Sequence, residues 1–373
     1  MKKEKIVYID NLRVLLMILV ILHHSFITYG APGGWYYIEA SKKLGALIPM
    51  TLFVATNQSF FMGFFFFLSA LFIDSSLKKK GRLHFTVDRL KRLGIPLVFY
   101  VFVLSPILVW LVVRFGDKKL ISFPDFEQHY RQWIGVGVLW FVAALLLFTL
   151  IYVFIRPLIQ SEQDKIRPVP NNSRILVFAL SLGILSYLVR IFFPVGWSLQ
   201  PFGFQLAYFS QYVAMFILGI VASRNHWLEQ FDVKKARPFL RLALIMMFLI
   251  FPLMYVIKIV TGCTIESFSG KGTYQSLLSA SWEQITGISI MVVLLGYGRE
   301  KWNRQSALLK NMSRSAYAVY IFHPLVIISL SLLCIPLRID PALKLLIVAP
   351  LAVIFSFTLG SLLVKIPGVD KII

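Results

Sequence analysis

Charge is what this sequence has least of. Only 15% of its 373 residues are Asp, Glu, Lys or Arg, and acids are the scarcer sign, 17 against 38 bases. With 58% hydrophobic residues and a mean hydropathy of +0.76, that excludes a water-soluble globular chain. Cysteine is nearly absent. Two residues, no CxxC and no Cys/His group at ligand spacing exclude a disulfide scaffold, a metal centre and a thiol redox motif. Internal repeats, low-complexity tracts and linkers long enough to separate soluble domains are also missing. The formal net charge is +21, yet the bases lie in short loops between apolar runs. The surplus therefore speaks for membrane topology and against a nucleic-acid partner.

Long apolar runs are abundant. A helix needs about 20 mostly apolar residues to span the hydrocarbon. Ten runs approach that length: 12–29, 49–73, 93–113, 136–155, 174–193, 205–222, 242–260, 285–298, 315–335 and 341–364, the eighth being short. Barrel strands would alternate over about ten residues, whereas GFFFFLSALFI is apolar on every face. The chain reads as all-α, a polytopic integral membrane protein of about ten transmembrane helices, with one transmembrane domain over 1–373. Of the bases, 26 lie on the side of the N-terminus and 10 on the other. Because positive loops stay in the cytoplasm, both termini are expected there, and the multi-pass chain in the plasma (inner) membrane. MKKEK before an apolar run imitates a signal peptide, but no small-x-small site follows and two histidines occupy the run, so a retained helix is expected.

An ionisable group inside a bilayer costs about 2.5–3.5 kcal/mol on insertion scales, which makes each one a functional candidate. The first helix holds Arg13, His23 and His24. Eleven residues at 100° each fall about 20° from three whole turns, so Arg13 and His24 share a face, about 16 Å apart along the axis. A guanidinium at the mouth and an imidazole deep inside suit an anionic donor arriving from the cytoplasm and proton transfer near the far side. Snorkelling beside Asp10 is the plainer reading of Arg13. His23, turned about 100° away, reads as a helix-packing hydrogen bonder. Thr51, Thr56, Asn57, Gln58 and Ser59 on the second helix must line protein or a wet cavity, since lipid cannot satisfy them. Ser69 and Ala70 read as a close-packing site.

In the following loop Lys78, Lys79, Lys80, Arg82, Arg89, Lys91 and Arg92 crowd into fifteen residues. Anionic lipid headgroups account for the lysines. Arg89 and Arg92, three apart where the next helix begins, are spaced to aim two guanidinium forks at one phosphate. The external segments 30–48, 114–135 and 261–284 carry the acids Glu39, Asp117, Asp125, Glu127, Glu266 and Glu283 with Trp35, Tyr36, Tyr37, Tyr130 and Trp133. These aromatics read as interfacial anchors ahead of sugar-stacking groups. Cys263 and Cys334 fall at outer helix ends, where a bridge is chemically allowed.

These residues fall into a known pattern. The chain resembles, over nearly its whole length, the membrane-bound acyltransferase family 3, which O-acylates cell-surface and periplasmic glycans and related acceptors. YIDNLRVLLMILVILHHS is similar to that family's Asp-x-x-Arg, ten residues, His signature and puts Asp10, Arg13 and His24 on it. FFFLSALFI is similar to FFxLSGFLI, with Ala70 where glycine is usual, and DRLKRLGIP resembles the Arg-x-x-Arg segment that supplies Arg89 and Arg92. VLWFVAALL at 138–146 is similar to the HLWFL block, with Val138 where histidine often stands, and YIFHPLVI at 320–327 looks like the late His-Pro helix. The last two blocks look nearest the glucan-succinylating branch.

The resemblance implies acyl-CoA as a donor substrate held from the cytoplasmic side, with no permanently bound cofactor. The acceptor it implies is a hydroxyl of an extracytoplasmic glycan or lipid-linked sugar. His24 becomes the general base and Arg13, beside Asp10, the donor anchor. Arg89 and Arg92, with Ser69, become donor-phosphate contacts, and Trp140, His323 and Asn57 acceptor-side contacts. A neutral imidazole suits the base role because it titrates near physiological pH. Acetyl and succinyl both stay open, as do direct transfer and an acyl-histidine, and homo-oligomerisation. A succinyl group would want an added outer cation, for which Arg190, Lys258, Lys271 and Arg338 are candidates. The competing class is a secondary transporter of an organic anion, which also uses about ten helices and midplane polar groups.

Overall fold

The computed structural model describes residues 7–119, 123–158 and 166–372. Lys2, Lys3, Lys5 and Lys165, which contribute to the charge bias, lie outside them. Among the described residues ten helices are long and apolar enough to cross a bilayer: α1 (Val7–Thr28), α2 (Leu44–Lys80), α3 (Arg82–Gly116), α4 (Pro124–Ile155), α5 (Asn172–Phe192), α6 (Leu206–Arg224), α7 (Val233–Thr261), α8 (Tyr274–Lys301), α9 (Ala307–Leu333) and α10 (Pro341–Leu363). No strand occurs among them, and one isolated bridge joins Leu199 to Phe204.

The expected number of spans is met, but several are longer than hydropathy suggested. α8, with 28 residues, is twice as long as its expected bounds, 285–298. Gln275, Ser276, Glu283, Gln284, Thr286 and Ser289 lower its mean hydropathy, yet all are buried inside the bundle, away from lipid, with Glu283 and Gln284 bonded to protein partners.

α1 packs against α9 and α10, α2 on α6, and α5 and α7 on α8. Two features position the site. First, α2 is broken at Ser59–Phe60 and again at Leu71–Phe72. At the first break the freed Ser59 carbonyl accepts from Gln211 Nε2 at 2.7 Å, and Gly287 of α8 sits so close that any Cβ there would strike that carbonyl. Second, α3 contains π-turns at Leu90–Gly94, Tyr100–Leu104 and Val112–Gly116, single wide turns of the kind that re-aim side chains in functional helices.

Candidate functional site

On the amino-terminal face of the bundle a cavity of about 350 Å³ is lined by Arg13, Ser69, Phe72, Ile73, Arg89, Leu145 and Thr149. Arg13 is held there by local chemistry. Its Nη2 donates to the Leu68 carbonyl at 3.1 Å, an oxygen near the end of a helical segment where i+4 donors run out. Nη1 reaches Asp10 at 3.4 Å, and the guanidinium lies over the Phe72 ring at 5.1 Å. Arg89 stacks on Phe85 at 4.9 Å, and its Nε is buried without a partner.

Arg92 does not join this cavity, which corrects the expectation that Arg89 and Arg92 aim at one point. It turns to Asp88 at 3.1 Å, and its side chain is 49% exposed. The π-turn begins immediately after Arg89; with i→i+5 bonds the turn is wider, so residues three apart no longer approach one face. Beside the cavity, Asp74 of α2 binds Arg224 of α6 at 2.8 and 3.1 Å, Arg156 of α4 at 3.0 Å, Lys78 at 3.5 Å and the hydroxyl of Tyr152. One acid among three cations ties three helix ends together and leaves the mouth positive. Sequence reading passed over Asp74, although a lone acid between an apolar run and a basic loop is a visible signal.

Three turns along α1, His24 meets His323 of α9 and Trp35 of the segment that follows α1. Ring centroids are 4.0 Å apart for His24–Trp35, 5.4 Å for His24–His323 and 6.2 Å for Trp35–His323, with planes within 20° of parallel. His24 Nδ1, Trp35 Nε1 and His323 Nε2 are all buried without partners. Trp35, expected as an interfacial anchor, instead covers the imidazole. Asn57 lies elsewhere: its amide nitrogen donates to His23 Nδ1 and to the Leu19 carbonyl, both at 3.2 Å. It thereby serves the packing role read for His23. The cavity lining includes neither His24 nor His323. Met17 and Val20, which complete the stripe between Arg13 and His24, are buried.

The segment bearing Trp35 is pinned. Gly33, at φ +152°, lies where a Cβ would collide with Ile27, and Gly137 admits the Tyr36 hydroxyl, which bonds Tyr100 at 2.9 Å. Glu39 pairs with Lys344 of α10 at 2.6 Å, a lysine only 2% exposed. Asp340, which caps α10, accepts from Ala342 N–H and from the Ser41 hydroxyl, each at 2.9 Å, and faces Lys43 at 3.5 Å. The backbone N–H first, then these neighbours, hold its carboxyl below the usual carboxylate range.

Arg190 and Glu283, both placed by sequence at the outer side, belong to the interior. Arg190 of α5 is fully buried and donates from Nη2 to both Glu283 oxygens, at 2.9 and 2.8 Å. It is therefore not an outer-face cation. Glu283 continues to Gln284 at 3.0 Å, and Gln284 to Gln211 at 2.8 Å. Arg190 also lies over Tyr208 at 5.4 Å, and Trp140 stacks on Tyr212 at 5.5 Å. Trp140 thus joins this group and not the rings around His24. Cys263 and Cys334 are both free.

A family model described as an acyltransferase domain matches residues 6–362. The chain belongs to the acyltransferase 3 family. It is also similar, at 24% identity over 226 residues, to "Glucans biosynthesis protein C" of Salmonella typhi and of Salmonella typhimurium, with 58% of this chain and 57% of each relative covered. The aligned part is thus little over half the length of these curated relatives. No solved structure matches. The match is to an acyltransferase domain, which favours acyl transfer over the transporter reading.

Proposed function

We propose that this acyltransferase moves an acetyl or succinyl group from acyl-CoA, bound at the amino-terminal, cytoplasmic face, to a hydroxyl of an extracytoplasmic carbohydrate, with His24 as general base. The carrying observation is the division of labour along α1. Arg13 joins Arg89 in one cavity, and three turns away an unpaired imidazole nitrogen is held between Trp35 and His323. The 26 to 10 bias of bases toward the Arg13 side supports the cytoplasmic assignment. The glucan-biosynthesis relatives support a carbohydrate acceptor.

In this reading the guanidinium groups and the cations around Asp74 receive the donor's phosphates. The thioester arm advances along the Arg13–His24 stripe by displacing Met17, an unbranched side chain that repacks at low cost. His24 takes the acceptor O–H proton as the oxygen bonds the thioester carbon. The C–S bond breaks, and the imidazolium returns the proton to the departing thiolate. Both termini are cytoplasmic, and the membrane is the plasma membrane.

Purified protein in detergent with acetyl-CoA or succinyl-CoA and a glucan oligosaccharide is expected to release free CoA and yield acylated sugar by mass spectrometry. Absence of both products with every donor and sugar would end the proposal. Arg89→Gln is expected to raise the KM for acyl-CoA about tenfold or more, the worth of a lost charged hydrogen bond, whereas Arg92→Gln stays within about twofold because that side chain is solvated. Equal shifts in the two variants would contradict the cavity assignment.

A further inference from the structure

His323 and Trp35 carry a chemical specification that the transfer reaction alone does not use. His323 is fully buried, with Nδ1 2.8 Å from the Tyr320 carbonyl. A carbonyl only accepts, so Nδ1 carries the hydrogen, and in a neutral ring Nε2 is then a lone pair. That Nε2 has no partner. A group bonding to it must donate. Trp35 Nε1 is the converse: it only donates, it too is buried without a partner, and it needs an acceptor. Leaving either unmade in a buried site is costly, so the pair calls for a group that donates to one nitrogen and accepts from the other.

The choice of ligand group is narrow. A carboxylate or phosphate has no hydrogen for His323 Nε2, and an ammonium has no lone pair for the indole. A hydroxyl has both, as do water and an amide, and of these the hydroxyl is the group that a carbohydrate acceptor supplies. The two rings lie 6.2 Å apart, and each also neighbours His24, whose own nitrogen is taken up by the reacting hydroxyl. We propose that His323 Nε2 and Trp35 Nε1–H together read a second hydroxyl of the acceptor, beside the one acylated, so that the acceptor is a polyhydroxylated sugar ring and not a simple alcohol. Fixing of the Trp35 segment to α10 through Glu39–Lys344 and Asp340 keeps the indole in register with a ring that belongs to α9. This inference rests on the acyl-transfer reading above and adds to it the group that selects the acceptor.

The test uses the full chain in detergent, acetyl-CoA or succinyl-CoA, and methyl β-D-glucopyranoside with its monodeoxy derivatives. Wild type is expected to lose about 5- to 10-fold in kcat/KM on one monodeoxy sugar that retains the acylated hydroxyl, the worth of a neutral hydrogen bond. Trp35→Phe, which keeps a ring and removes only the N–H, and His323→Gln are each expected to lower kcat/KM on the parent sugar and to reduce the penalty for that deoxy position. A merely structural defect would slow both sugars alike and leave their ratio untouched. Equal use by wild type of every monodeoxy sugar that retains the acylated hydroxyl overturns the inference, as does a deoxy penalty that survives unchanged in both variants. No acylation of the parent glucoside or of longer glucan by wild type counts instead against the acyl-transfer reading itself.

Discussion

Replacing His24 with alanine is expected to lower CoA release and sugar acylation by about 10²- to 10⁴-fold, the usual weight of a positioned general base, with little change in the KM for acyl-CoA. The separation follows from the geometry, because Arg13 and Arg89, the proposed donor contacts, line a cavity that His24 does not. His23→Ala is the internal control. His23 accepts from Asn57 and stacks on Phe61 at 4.8 Å, so its loss is expected to lower thermal stability while kcat falls far less. Steady-state kinetics of both variants decides the matter: equal falls in kcat, or an active His24→Ala enzyme, would remove the imidazole from the chemistry.

The second large effect concerns folding. Glu283→Gln leaves Arg190 fully buried without a counter-charge, and breaking a buried pair in this way costs about 3–5 kcal/mol. The double variant Arg190→Met, Glu283→Met removes both charges and is expected to recover most of that loss, since two apolar groups of similar size replace a pair that is expensive to desolvate. Unfolding midpoints in one detergent, followed by tryptophan fluorescence, give the comparison. A double variant no more stable than Glu283→Gln would mean that the pair is needed for more than charge balance, with Tyr208 and Gln284 as the neighbours to vary next.

The helical class and the ten spans were legible because lipid imposes length and apolarity on every crossing segment. The Arg13–His24 stripe was legible for a similar reason: helical periodicity alone fixes which residues of α1 look the same way. What failed was information that periodicity does not hold. Arg92 was paired with Arg89 on α-helical spacing, and the π-turn at Leu90–Gly94 removed that spacing. Arg190 sits near the end of the run 174–193 and Glu283 just before the run 285–298, and a window mean cannot distinguish polar residues facing the bundle from polar residues facing water. Trp35 follows His24 by only eleven residues, but its role depends on an approach to α9 and α10 that no local pattern encodes.

Trp35 and Lys344 also bear on biogenesis. Membrane helices are delivered to the bilayer in the order of synthesis, and Glu39 must wait for a lysine 305 residues further along the chain, as His24 must wait for His323. A nascent chain with its first eight helices already inserted therefore carries Arg13 and Arg89 but has no finished reaction centre. On the proposed reading, acyl-CoA met during translation would find a docking place without the ring cluster that consumes it, and transfer would begin only once the last two helices have been laid beside the first.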